Sequence, residues 1–206
     1  MVKRETWRRG KGIVSVNAEV GLETKVWHYC NLYNCKIGEH CVIGSFTEIG
    51  NGVKIGNYCK IQSGVFIPEG VIVEDEVFIG PNVVFTNDLK PKAIPCLEYY
   101  AGEKGWICTL TVIKRGASIG ANSTIRCGVT IGENALIGCG STVIKNVPAG
   151  ETWVGNPAKR IRYGFLKRIK IWYHKRFGGC PIWCPFKFWR KIKSVILKYL
   201  ANHSEQ

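Results

Sequence analysis

Residues 37–85 read IGEHCVIGSFTEIGNGVKIGNYCKIQSGVFIPEGVIVEDEVFIGPNVVF, and a branched or aromatic apolar residue falls on every sixth position: Ile37, Ile43, Ile49, Ile55, Ile61, Ile67, Val73, Ile79 and Phe85. Two residues before each sits a smaller partner, in order Cys35, Cys41, Thr47, Val53, Cys59, Val65, Val71, Val77 and Val83. Neither a helix nor a simple strand repeats at six. Alternate side chains of an extended segment point the same way, so six residues supply two inward positions and then a corner. Gly38, Gly44, Gly50, Gly56 and Gly80 follow the large residue, where a corner needs room for the neighbouring backbone. Three such faces close one coil of about 18 residues, and the expected architecture is an all-β, triangular parallel β-solenoid.

The ladder runs on in both directions. Upstream the phase slips by one residue, and Val14, Val20, Val26 and Leu32 continue it, with Ala18, Thr24 and Cys30 as small partners. Downstream it returns as Ile107, Ile113, Ile119, Ile125, Ile131, Ile137 and Val143, accompanied by Thr111, Ala117, Ser123, Val129, Ala135, Ser141 and Val147. These faces make between six and seven coils. At about 4.8 Å per coil the prism is on the order of 30 Å long. Between Phe85 and Ile107 the segment TNDLKPKAIPCLEYYAGEKGW carries no hexad. It is expected as an external loop over residues 86–106, and a long loop without periodicity of its own is more often functional than not.

The chain has 206 residues, 46% of them apolar, enough for one core. Lys and Arg total 29 against 15 Asp and Glu, but residues 160–206 hold twelve of the basic residues and one acid. The prism is therefore nearly neutral and the tail carries the charge. Within residues 163–206, Trp189, Ile192, Ile196 and Tyr199 fall on one helical face, and Lys187, Arg190, Lys191, Ser194 and Lys198 on the other. A basic, aromatic-rich amphipathic helical tail suits an anionic membrane surface, with packing on the prism or on a neighbouring subunit as the alternative. Nucleic acid is not expected as a partner, since no reading motif accompanies the charge. Four of the ten cysteines, Cys30, Cys35, Cys41 and Cys59, stand in the small inward column as compact apolar fillers. Cys180, Cys184 and His174 are too few and too poorly spaced for zinc, so no metal is expected. The opening MVKRETWRRGKG has no apolar signal core, which makes cytoplasmic placement the expectation, with the tail on the inner membrane face.

The stretch KIQSGVFIPEGVIVEDEVFIGPNVVFTND at residues 60–88, then TVIKRGASIGANSTIRCGVTIGENALIGCGSTVIKNVPAG and the closing VGNPAKRI resemble the hexapeptide-repeat N-acetyltransferases that acylate the 3-amino group of nucleotide-linked sugars. The resemblance covers about residues 13–162, within one expected acyltransferase domain of residues 1–162. It implies a left-handed parallel β-helix, a homotrimer, acetyl-CoA as co-substrate, and active sites between subunits. It also implies an acceptor that is an amino-sugar nucleotide used in surface glycan biosynthesis. On the matching positions it implies catalytic roles for Asn87 and its neighbours Glu69 and Asp88, and acceptor contacts at Gln62 and Asn87. The donor is expected along the later coils, at Gly120, Ala135 and Gly138, and at Gly155, Lys159 and Arg160 of the closing segment.

The residues add a column of their own. Asn51, Glu69 and Asn87 are spaced by 18, each two past its large apolar residue, so they are expected to stack at one corner. Two other readings stay open. An O-acetyltransferase of the same fold needs a base near neutral pKa, and the chain has four His: His28, His40, His174 and His203. A non-catalytic, membrane-docked solenoid scaffold needs none.

Overall fold

The computed structural model describes residues 8–91 and 108–161. The expected amphipathic tail and most of the expected loop lie outside them. The described chain is a parallel β-solenoid of about seven turns. Its strands are two or three residues long and belong to three sheets of nine, seven and six strands.

The first sheet stacks Arg8–Arg9, Lys25–Val26, Val42–Ile43, Lys60–Ile61, Phe78–Ile79, Ser118–Ile119 and Leu136–Ile137, and ends in the hairpin Thr152–Val154 and Lys159–Ile161. The second holds Val14–Val16, Asn31–Tyr33, Glu48–Ile49, Phe66–Ile67, Val84–Phe85, Thr124–Ile125 and Thr142–Val143. Glu19–Val20, Lys36–Ile37, Lys54–Ile55, Val71–Val73, Thr111–Ile113 and Thr130–Ile131 make the third. The chain visits the three in turn, so a six-residue step changes face and a full coil returns to the same one. Lys60 pairs with Phe78, a coil of 18.

Both irregularities of the ladder have a physical origin in the register. Lys25 pairs with Val42 and Asn31 with Glu48, coils of 17, because the corner between Leu32 and Ile37 is one residue short. The shortening recurs a coil earlier, so Ser15, not Val14, sits opposite Leu32. The expected inward Val14 is corrected accordingly: it faces outward and is 48% exposed. Downstream, Val71 pairs with Thr111 and Phe85 with Ile125, steps of 40, so the insertion adds 22 residues to a coil of 18. Phe85 thus fills the slot that counting by six assigns to Ile107, and the described ladder resumes with Thr111 and Ile113.

The large column, from Val26 and Leu32 to Val143, is buried along the axis. The small column does more than fill space. Thr24 donates its hydroxyl to the Gly38 carbonyl at 2.7 Å, Thr47 to Gln62 at 3.1 Å and Ser123 to Gly138 at 3.1 Å. The thiols of Cys30, Cys41 and Cys59 do the same to the carbonyls of Gly44, Gly56 and Glu74, each at 3.1 Å. A short donor at this position ties a corner carbonyl of the next coil that has no strand partner, which is why Ser, Thr and Cys interchange here. Burial pushes the Cys35 thiol up to about 11 and Cys30 upward, and Cys59 is raised first by its hydrogen bond with Cys41 and then by burial, so these thiols stay protonated.

Candidate functional site

The insertion leaves the prism at the edge between the second and third sheets, and that edge carries the candidate column. Asn51, Glu69 and Asn87 each stand two residues past a buried member of the second sheet, Ile49, Ile67 and Phe85. Ile49 pairs with Ile67 and Phe66 with Val84, so the three occupy successive coils, about 4.8 Å apart. Their closeness shows at Gly50, where an added Cβ would lie 3.0 Å from the Glu69 amide nitrogen. Asn51 is committed within the fold, its Oδ1 accepting from Asn34 Nδ2 at 2.6 Å. Glu69 and Asn87 are half-buried, and their side chains make no hydrogen bond or ion pair among the described residues.

The backbone around Asn87 is held on three sides. Thr86 donates its N–H to the Ile125 carbonyl at 3.0 Å, and its Oγ1 accepts the Cys127 N–H at 3.0 Å. Thr109 donates its N–H to the Asn87 carbonyl at 3.3 Å. Cys108 donates its thiol to the Glu69 carbonyl at 3.4 Å and covers Gly70, whose φ of +89° leaves no room for a Cβ, since one there would meet the Cys108 sulfur. The returning pair Cys108 and Thr109 therefore sets the two turn residues Glu69 and Asn87 against each other. Sequence counting could not find Thr86, Cys108 or Thr109 in this role, because the insertion breaks the spacing that would bring them together. Asp88, also half-buried, turns back on its own chain: Oδ1 accepts the Lys90 N–H at 2.8 Å.

The other expected residues fall elsewhere on the prism. Gln62 follows Ile61 of the first sheet, so within one chain it lies at the first-to-second edge, away from Asn87. Gly120 and Gly138 share that edge, but the room they leave is taken by the next coil: a Cβ at Gly120 would lie 2.5 Å from the Cys139 nitrogen, and at Gly138 2.5 Å from Val154 Cγ1. Ala135 is 1% exposed and faces the core. At these three positions the side-chain space is taken up by packing within the chain. Gly155, at φ +99°, donates its N–H to Ser141 Oγ at 3.1 Å and is exposed in the closing hairpin. Lys159 is exposed beside it, whereas Arg160 is already paired with Glu151 at 3.0 Å, a carboxylate that also accepts from Trp153 Nε1 at 2.8 Å.

Neither described histidine shares the edge of Asn87. His28 lies at the first-to-second edge, where its Nδ1 accepts the Lys11 N–H at 2.8 Å, and that bond leaves Nε2 as the protonated nitrogen. His40 lies at the third-to-first edge, stacked on Tyr58 with ring centroids 4.9 Å apart. His174 and His203 are outside the described residues.

A sequence profile described as bacterial transferase hexapeptide (six repeats) matches residues 34–69, 52–87 and 110–145. No curated protein sequence matches the chain. Among solved structures it is similar to AntD, an N-acyltransferase from Bacillus cereus held with dTDP and coenzyme A, at 18% identity and a TM-score of 0.54 over 78% of this chain and 93% of that one. That likeness is one of fold. GDP-perosamine N-acetyltransferase from Caulobacter crescentus, solved with CoA and GDP-perosamine, aligns at 16% identity and a TM-score of 0.49 over 73% of this chain. This chain spans about half of that enzyme, 54% of its length. The hexapeptide-repeat acetyltransferase VCA0836 from Vibrio cholerae aligns at 25% identity and a TM-score of 0.46, over 70% of this chain and 72% of that one.

Proposed function

We propose that this chain, a member of the hexapeptide-repeat transferase family, is an acetyl-CoA-dependent N-acetyltransferase acting on the 3-amino group of a nucleotide-linked amino sugar. The observation that carries the reading is the pairing of an uncommitted Asn87 amide with an uncommitted Glu69 carboxylate on adjacent coils, at the root of the only insertion in the described ladder.

An amine needs no base to become a nucleophile once it is neutral, so the site has only to aim its lone pair at the thioester carbon. The Asn87 amide oxygen accepts one N–H of the amine and fixes that direction. Attack forms the C–N bond, and the nitrogen of the tetrahedral adduct becomes acidic. Its proton passes to Glu69, or to Asp88 beside it. Collapse breaks the C–S bond, and the departing thiolate takes up a proton as CoA. Within one chain a His-dependent transfer to a hydroxyl receives no such support, because His28 and His40 stand on its other two edges. A scaffold role leaves the paired Asn87 and Glu69 without a purpose.

The reading extends to a homotrimer with sites between subunits, to the closing hairpin with Gly155 and Lys159 as part of the donor site, and to a cytoplasmic enzyme whose basic tail rests on the membrane. Thiol release, measured with purified protein, acetyl-CoA and a panel of UDP- and dTDP-linked 3-amino sugars, tests the activity. Release with at least one amino acceptor and none with its 3-hydroxy counterpart is expected. Transfer to the hydroxyl sugars instead would replace the reading by O-acetylation.

A further inference from the structure

Arg126 lies on the edge of Asn87, one coil further on, and its placement is fixed by Thr86. Phe85 pairs with Ile125, Thr86 donates its N–H to the Ile125 carbonyl at 3.0 Å, and Cys127 donates its N–H to Thr86 Oγ1 at 3.0 Å. The peptide groups on both sides of Arg126 are thus tied to the residue that precedes Asn87. Ile125 and Cys127 are fully buried while Arg126 between them is exposed, so strand alternation sends the guanidinium outward over the candidate site.

That guanidinium is uncommitted. Lys114 and Arg115 are paired with Glu74 and Glu76, Arg160 with Glu151 and Lys36 with Glu19, but the Arg126 side chain makes no ion pair or hydrogen bond among the described residues. Its register neighbours on the adjoining coils are Thr86 and Ile144, neither of them charged. One coil is about 4.8 Å, well within the reach of an Arg side chain toward a molecule held at Asn87. Arg is also the side chain suited to forked contact with planar or tetrahedral oxyanions.

We propose that Arg126 binds an oxyanion of the acceptor, either a carboxylate on its sugar ring or its diphosphate. This rests on the reading that Asn87 faces the acceptor amine, and the experiment separates the two. Calorimetry on the full chain would compare UDP-glucuronate, UDP-glucose, dTDP-glucose and acetyl-CoA as probes, for the wild type, Arg126→Ala, Arg126→Lys and, as a charge control on the first sheet, Lys25→Ala. Arg126→Ala is expected to weaken UDP-glucuronate by about tenfold or more, the scale of one lost charge-assisted contact. Arg126→Lys should be intermediate and Lys25→Ala unchanged. If the partner is the ring carboxylate, only UDP-glucuronate suffers; if it is the diphosphate, all three nucleotide sugars weaken together. Binding by Arg126→Ala within twofold of wild type, a loss confined to acetyl-CoA, or a wild type that binds no nucleotide sugar would each overturn the proposal. A wild type that binds these probes through Arg126 yet releases no CoA with any 3-amino acceptor would sink the transferase reading and leave Arg126 in place.

Discussion

A side-chain amide neither gains nor loses a proton near neutrality, so Asn87 can orient an amine but cannot deprotonate an alcohol. That difference gives the sharpest prediction at the level of single residues. Asn87→Ala should lower kcat/KM for the amino acceptor by roughly 10², about 2.7 kcal/mol of transition-state stabilisation, with the fold intact by circular dichroism. His28→Ala and His40→Ala should retain nearly full rate when folded. The reverse pattern, an active Asn87→Ala beside an inactive His variant, would hand the site to O-acetylation. Glu69→Gln should cost less than Asn87→Ala, and chiefly at low pH, which a kcat/KM profile over pH would show. The Asn87 and Glu69 column was legible in the sequence because no insertion separates them, and 18 residues carry one to the next coil. Arg126 was not legible beside Asn87. The same count from Thr86 ends inside the insertion, and only the 40-residue step of Phe85 to Ile125 brings Arg126 over it.

Single coils are held by their small column as well as by the large one. Cys59 donates to the Glu74 carbonyl at 3.1 Å from a fully packed position. Cys59→Ser keeps a donor of nearly the same size, as Ser123 and Ser141 do in other coils, whereas Cys59→Ala leaves the carbonyl untied. The alanine variant should be less stable than the serine variant by about 1 kcal/mol, read from the midpoint of urea unfolding. The sequence showed these thiols as inward fillers but not as donors, since a spacing reveals which way a side chain points and not which carbonyl lies in front of it. Glu74 has a different task. It receives Lys114 Nζ at 2.6 Å and the Arg115 N–H at 3.0 Å, and so joins the coil before the insertion to the coil after it. The Lys114 hydrogen bond holds the Glu74 carboxyl below its usual range. A carboxyl lowered by folding contributes stability that is present above its unfolded value, about 4.3, and lost as pH falls through the folded one. The gap in Tm between wild type and Glu74→Gln should therefore be widest near neutral pH and close below about pH 4. A gap independent of pH would mean that Glu74 acts only by packing.

For the molecule as a whole, the hexad fixes the solenoid because every coil needs the same two inward positions, and a mis-stacked coil exposes both at once. Where the repeat lapses, so does legibility: the outward Val14 and the slot of Ile107 were misplaced because a missing residue at a corner and an inserted loop both shift phase without changing composition. The charge of the chain follows the same division. With 29 Lys and Arg against 15 acids, and twelve of the basic residues within 160–206, any long-range attraction to an anionic surface resides mainly in the tail. Each basic residue near such a surface is worth about 1 kcal/mol. Replacing Lys187, Arg190, Lys191 and Lys198 by Gln in the full chain removes four charges while sparing Trp189, Ile192, Ile196 and Tyr199. Partitioning onto vesicles rich in phosphatidylserine should then weaken by about 4 kcal/mol, whereas thiol release in solution should not change. Raising the salt should weaken the wild type toward the variant, since the Debye length falls from about 10 Å at 0.1 M to about 3 Å at 1 M. Co-sedimentation of the quadruple variant equal to wild type at low salt would refute electrostatic docking by the tail, and leave its apolar face to be covered by protein.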